Sequence, residues 1–256
     1  MRERLRAAPR DAGQVHSVYA AALNLLWHDG RLLTLHSPGR LLAPFAAAVT
    51  RLPFGLAPVQ GVRREGEELR LGPFRLRWEG SAVVETELRP EARGARFLAA
   101  ALASGVGERT ASGLFSPTGC VAQRQLGSSI RKQDASGFLR GALALIGLGE
   151  GLTPAGDDCL VGALAVLWRR SAVWMAEIEE SRRAIAAASE TGTTVVGREF
   201  LLYALAGSFS EVIVDLMNAR SAAEAAERVD ELGKMGASSG ADTLWGMRLA
   251  LEALQP

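Results

Sequence analysis

Near residue 90 the apolar residues of this 256-residue chain change their spacing, and that change limits the fold to a sheet followed by helices. Upstream, short apolar runs alternate with turn signals. "NLLWHDGRLLTL" (Asn24–Leu35) sets Asp29-Gly30 between apolar flanks, and these two residues tolerate the positive φ that a tight hairpin demands. "FRLRW" (Phe74–Trp78) alternates apolar residues with arginines, as a strand with one buried face does. Further turns are expected at Arg64–Gly66, Gly72-Pro73 and Glu79-Gly80. Residues 13–88 therefore predict a small antiparallel sheet or barrel, with a short helix at Pro44–Arg51. Downstream, residues 91–104, 138–149, 157–170, 172–189, 197–209, 222–234 and 241–254 each place apolar residues three and four apart, the spacing of one helix face. The breaks between them are short, so consecutive helices are expected to pack antiparallel. The expected fold class is α+β: an N-terminal antiparallel β-sheet or barrel subdomain over residues 1–90, then a mainly α-helical domain over residues 91–256.

Composition removes several classes of function. A formal net charge of +1 argues against a nucleic-acid partner held by bulk electrostatics. No apolar run reaches the roughly 18–20 residues that span a bilayer, so no membrane partner is expected. The N-terminal "MRERLRAAPRD" carries both charge signs and no apolar signal-peptide core, which predicts a cytoplasmic setting. Cys120 and Cys159 are too few for a disulfide framework or a zinc site. His16, His28 and His36 all lie in the front segment, which leaves no histidine-rich metal site.

The helical part is interrupted by "GLGEGLTPAGDDCLVGAL" (Gly147–Leu164). This is no dinucleotide fingerprint, because it lacks the G-x-G-x-x-G spacing, and no P-loop, because no Gly-Lys-Ser/Thr follows. It is echoed within the same chain. "AGDDCLVGAL" (Ala155–Leu164) and "SGADTLWGMRL" (Ser239–Leu249) align Gly156 with Gly240, Asp158 with Asp242, Leu160 with Leu244 and Gly162 with Gly246. Each copy opens an apolar helix, whose first turn carries unpaired N–H groups and a partial positive charge. Two readings stand. In the first, the aspartates only finish helices: Thr153 caps ahead of Pro154, and Ser239-x-x-Asp242 forms a capping box, each worth about 0.5–2 kcal/mol. In the second they line a site. Glycine one turn into a helix costs about 1 kcal/mol, so Gly162 and Gly246 suggest close approach of another backbone. Were the two helices to cross there, Asp158 and Asp242 would face one cleft.

Three ordered blocks, "GLGEGLTPAGDDCLVG", "TGTTVVGREFLLYALAGSFSE" (Thr191–Glu211) and "GASSGADTLWG" (Gly236–Gly246), resemble the oxamate carbamoyltransferase subunit AllH-like family, formerly a domain of unknown function. The resemblance is firm over about residues 140–250. It implies one subunit of a multi-subunit enzyme of anaerobic allantoin breakdown, within purine catabolism, that moves a carbamoyl group between oxamate and phosphate. It therefore implies hetero-oligomeric partner subunits and a small anionic substrate of the carbamoyl phosphate or oxamate class.

The residues can be matched to such a substrate. A small anion calls for backbone N–H groups at helix starts, hydroxyls and a cation. Gly151, Gly156 and Gly240 are the candidate backbone donors. Thr153, Thr193, Thr194, Ser238 and Ser239 are the candidate hydroxyls, and Arg198 the candidate cation, with Arg131-Lys132 as further cations. Asp157, Asp158 and Asp242 are the candidate catalytic groups, and the same three suit Mg²⁺ held through one or two carboxylates and several waters. Cys159 follows two acids that blunt its thiolate, so it reads as core. Trp168 and Trp174 read as packing residues. The alternatives are a non-catalytic ligand-binding or scaffolding protein, or an Mg²⁺-dependent hydrolase, since the "GDD" pattern is similar over a few residues to ADP-ribosylglycohydrolases.

Overall fold

A computed structural model of the chain describes residues 11–39, 41–79, 81–89, 97–105 and 114–255. The expectations placed on residues 1–10, on Gly80 and on 91–96 lie outside the described residues. The chain divides into two compact units, one ending at Glu85 and one beginning at Thr86.

The first unit is one seven-stranded sheet: β1 (Asp11–Val18), β2 (Ala22–Trp27), β3 (Leu32–His36), β4 (Ala46–Ala48), β5 (Gly61–Glu65), β6 (Glu68–Leu71) and β7 (Phe74–Arg77). Their order is β4-β3-β2-β1-β5-β6-β7, and every neighbouring pair is antiparallel except β3 with β4. The Asp29-Gly30 hairpin forms as expected, with Leu26 opposite Leu32 and Gly30 at φ 79°. Leu23 faces Leu35 and Leu25 faces Leu33 across it. Together with Val15, Val62, Leu69 and Leu71 these leucines form a buried core. One expectation fails: Pro44–Arg51 is not a helix. Ala46–Ala48 instead runs parallel to β3, where Thr34 N–H donates to Phe45 O (2.9 Å) and Val49 N–H to His36 O (2.9 Å). An open edge of β3 offers ladder hydrogen bonds, and three alanines, though good helix formers, are too short a run to nucleate a helix against them.

The second unit is helical. Its described helices are α1 (Leu98–Gly105), α2 (Pro117–Lys132), α3 (Ala135–Leu145), α4 (Ala155–Arg170), α5 (Ala172–Glu177), α6 (Glu179–Gly192), α7 (Val195–Leu205), α8 (Glu211–Met217), α9 (Ala222–Gly233) and α10 (Ser239–Ala253). The run 172–189 expected as one segment breaks at Ile178, and α2 and α8 add helices where none was expected. Local rules account for several starts. Ser116, Asp134, Thr194 and Ser221 each accept an N–H from three residues on, at 3.0–3.1 Å.

α4 is buried from Ala155 through Leu167 and forms the axis of this unit, with α10 packed along it. The two helices meet through glycine. A Cβ on Gly162 would lie 1.9 Å from Thr243 O, and one on Gly246 would lie 1.9 Å from Cys159 O. Each glycine thus rests on the carbonyl three residues before the other, a reciprocal contact in which any side chain would force the backbones apart. The same reciprocity extends to the preceding helices. A Cβ on Gly156 would lie 2.0 Å from Leu145 O at the end of α3, and one on Gly240 1.7 Å from Leu232 O near the end of α9. Gly156 N–H donates to Leu148 O (2.8 Å) and Gly240 N–H to Met235 O (3.1 Å). The α3–α4 and α9–α10 hairpins are therefore two copies of one device, and the sequence echo is its trace.

Candidate functional site

The crossing brings the first turns of α4 and α10 together. Thr153 Oγ1 and Ser239 Oγ lie 2.6 Å apart, joining residues far separated along the chain. The start of α7 joins them: Thr194 Oγ1 donates to Leu152 O while accepting Gly197 N–H at 3.0 Å. Three helix N-termini thus converge, and three partial positive charges with them.

The aspartates occupy the interior of this junction. Asp158 is 6% exposed and Asp242 0% exposed. Burial holds the Asp158 carboxyl well above the usual carboxylate range, and the neighbouring charge of Asp242 adds to it; the hydroxyls of Ser239 and Thr153 act the other way. The dipole of α4 also favours an ionised form, by about 0.3–1 kcal/mol, a smaller effect than removing a carboxylate from water. Asp158 Oδ2 is buried with no hydrogen-bond partner among the described residues. Asp157, 1% exposed, is differently engaged. Its Oδ1 accepts the Gly147 N–H at 2.8 Å and its Oδ2 accepts the Thr193 hydroxyl. Burial raises its carboxyl too, against the pull of these two bonds. Asp157 therefore fastens the turn after α3 and the turn before α7 to the tip of α4. The Cys159 thiol is pushed up to about 12 by burial, with Asp242 and Asp158 contributing, so it is no thiolate near neutral pH.

The caps read from the sequence are not formed. Pro154 is the N-cap of α4 and Ser238 of α10, and neither end has a side-chain cap hydrogen bond. Thr153 does not cap because its hydroxyl reaches across to Ser239. Gly156 and Gly240 commit their amides to the carbonyls of Leu148 and Met235. Gly151, exposed at φ 99°, and the half-exposed Ser238 lie on the two loops that frame the tips. Arg198 is ion-paired: its Nη1 is 3.1 Å from Glu190 Oε2 and its Nη2 3.7 Å from Glu199 Oε1. Arg131 and Lys132 are exposed in the last turn of α2. Gly147 was missed from the sequence; its role depends on a backbone amide, which no side-chain pattern reveals. Glu199, fully buried on α7, was missed as well, though an acid inside the apolar run "VVGREFLLY" was its signal.

Both Asp157 oxygens hold donors, and among the described residues no group of three or more His, Cys, Asp or Glu side chains is placed to hold a metal ion. What the junction offers is a carboxyl raised in pKa, two linked hydroxyls and an oxygen without a partner, beside exposed glycine-rich loops.

Two family models match the chain: oxamate carbamoyltransferase subunit AllH over residues 145–251, and the AllH family N-terminal domain over residues 1–86. The first contains both aspartate tips and the Thr193-Thr194 turn. No solved structure matches.

Proposed function

We propose, from the premise that this chain belongs to the oxamate carbamoyltransferase subunit AllH family, that it works as a subunit of an enzyme moving a carbamoyl group between oxamate and phosphate, and that the joined tips of α4, α10 and α7 are its small-substrate site. On this reading it acts in purine catabolism, in the cytoplasm, with partner subunits. The observation that carries the reading is the 2.6 Å contact between Thr153 and Ser239, with Asp158 buried beside it and its Oδ2 unpartnered. A structure built only for stability has little reason to bury an oxygen without a hydrogen bond, which costs about 1–3 kcal/mol.

Each residue has a role in this reading. Thr153 and Ser239 orient the ligand through hydroxyls whose donor and acceptor senses can exchange. Asp158 holds or passes a proton at Oδ2. Asp242 keeps that proton in place by opposing a second negative charge. Asp157, Gly156 and Gly240 fix the geometry of the tips, and Thr193 and Thr194 bind α7 to them. Arg198 is committed to Glu190 and Glu199, so the charge of a phosphate is met on a partner subunit. Thermal denaturation of the chain with oxamate, carbamoyl phosphate or inorganic phosphate tests the site. A ligand at 100-fold its Kd adds about 2.7 kcal/mol, so a rise in Tm is expected with at least one of them. No shift with any, at millimolar concentration, would remove the reading.

A further inference from the structure

Resting on the reading of the joined tips as a substrate site, we infer that Asp158 recognises a primary amide: protonated on Oδ2, it donates its O–H to the amide carbonyl and accepts the amide N–H on the same carboxyl. The ligand class is the carboxamide head, an amino group on a carbonyl carbon, common to a carbamoyl group and to oxamate. The charged end of the ligand points away from Asp158.

The geometry leads to this class in three steps. Asp158 is 6% exposed and its Oδ2 has no hydrogen-bond partner among the described residues, so one buried oxygen beside the joined hydroxyls is left open to a ligand's hydrogen bond. The titratable groups that face it are Asp242 from α10 and Asp157 and Cys159 from α4 itself; α7 presents Arg198 and Glu199, which are paired with each other. Among the described residues, none of the influences on Asp158 comes from a cation. A dianion set against these carboxyls would add repulsion that only the partial charges of the helix tips oppose among the described residues, whereas an amide head is neutral and brings both a donor and an acceptor. A protonated carboxyl carries the complementary acceptor and donor. Burial, and the charge of Asp242 beside it, both favour the protonated form. Asp157 does not compete for the role, since both its oxygens already accept hydrogen bonds.

Calorimetric titration of the full chain with oxamate, oxalate and inorganic phosphate tests this on the unmodified protein. Oxalate replaces only the amide by a second carboxylate. Oxamate is expected to bind at least about tenfold more tightly than either of the others, because each leaves the Asp158 pairing unmade. Oxamate affinity is expected to fall as pH rises, approaching about tenfold per pH unit where Asp158 loses its proton. In Asp158→Asn the side-chain amide still donates and accepts, so oxamate binding should persist and its pH dependence vanish. In Asp242→Asn, with circular dichroism confirming the fold, the fall should begin at lower pH. Oxalate or phosphate binding as tightly as oxamate overturns the inference, as does a pH profile unchanged in Asp158→Asn. If none of the three binds, the substrate-site reading itself fails and takes the inference with it, a result that a changed preference among ligands cannot mimic.

Discussion

Asp157 and Asp158 are adjacent in sequence, yet their carboxyls meet different surroundings, and their substitutions should act in opposite directions. Asp158 titrates above its unfolded value, so the folded state holds the proton more tightly than the unfolded chain does. The stability this supplies is complete below the unfolded value of about 3.9 and is lost as pH rises through the folded value, at about 1.4 kcal/mol for each pH unit between them. Asp158→Asn cannot lose that proton. Its Tm should exceed that of the parent at alkaline pH, and the difference should shrink to nothing in acid; a variant less stable at every pH would show that the carboxyl is bound as a structural anion. Asp157 is raised by burial too, but it differs in accepting two hydrogen bonds. Asp157→Ala strips the acceptor from the Gly147 N–H and from the Thr193 hydroxyl. It should cost about 1–3 kcal/mol in chemical denaturation. Thr193→Ala in the same background should then cost less than it does alone, because the two share one hydrogen bond.

Between elements, the α4–α10 crossing depends on the absence of two side chains. A methyl at Gly162 or Gly246 would land 1.9 Å from a backbone carbonyl, which cannot rotate away as a side chain can. Gly162→Ala and Gly246→Ala should each destabilise by about 1–3 kcal/mol or more, and the double variant by less than their sum, since one separation of the helices relieves both clashes. Gly127, inside α2, is the control. A Cβ there would meet only Leu249 side-chain atoms at 3.8 Å, so Gly127→Ala should gain up to about 1 kcal/mol of helix propensity. Equal losses at all three glycines would contradict this account. The crossing was legible in the sequence because the Gly-x-Asp-x-Leu-x-Gly echo states it twice, in helices whose period is plain. That Thr153 and Ser239 do not cap their helices was not legible. Capping patterns weigh only the residues next along the chain, whereas these two hydroxyls satisfy each other across the fold. Two further misses share that origin. Ala46–Ala48 became a strand because β3 offered it an edge, a fact of the sheet and not of the alanines. α2 had a readable start in Ser116-Pro117, but Gly119, Gly127, Ser128 and Ser129 dilute its apolar stripe, and only packing against α3 and α10 makes it a helix.

At the scale of the whole molecule, the two units carry separate cores. The leucine cluster of the sheet draws every member from Val15 to Trp78, while α4 is buried within the unit that begins at Thr86. Every residue assigned to the substrate site lies in that second unit, and so does every contact that brings the tips together. The hairpins α3–α4 and α9–α10 bury each other's glycine faces within the helical unit. A unit with its own core is able to fold alone. Residues 86–256 produced as a separate chain should therefore give a cooperative helical melt by circular dichroism. Its oxamate affinity should match that of the full chain within about twofold, a difference below about 0.5 kcal/mol. If the fragment folds but its affinity drops tenfold or more, the sheet unit contributes to the site and the assignment to the joined tips is incomplete. If it fails to fold while the full chain melts in one transition, the two cores are not independent, and the sheet is part of what holds α4 and α10 crossed.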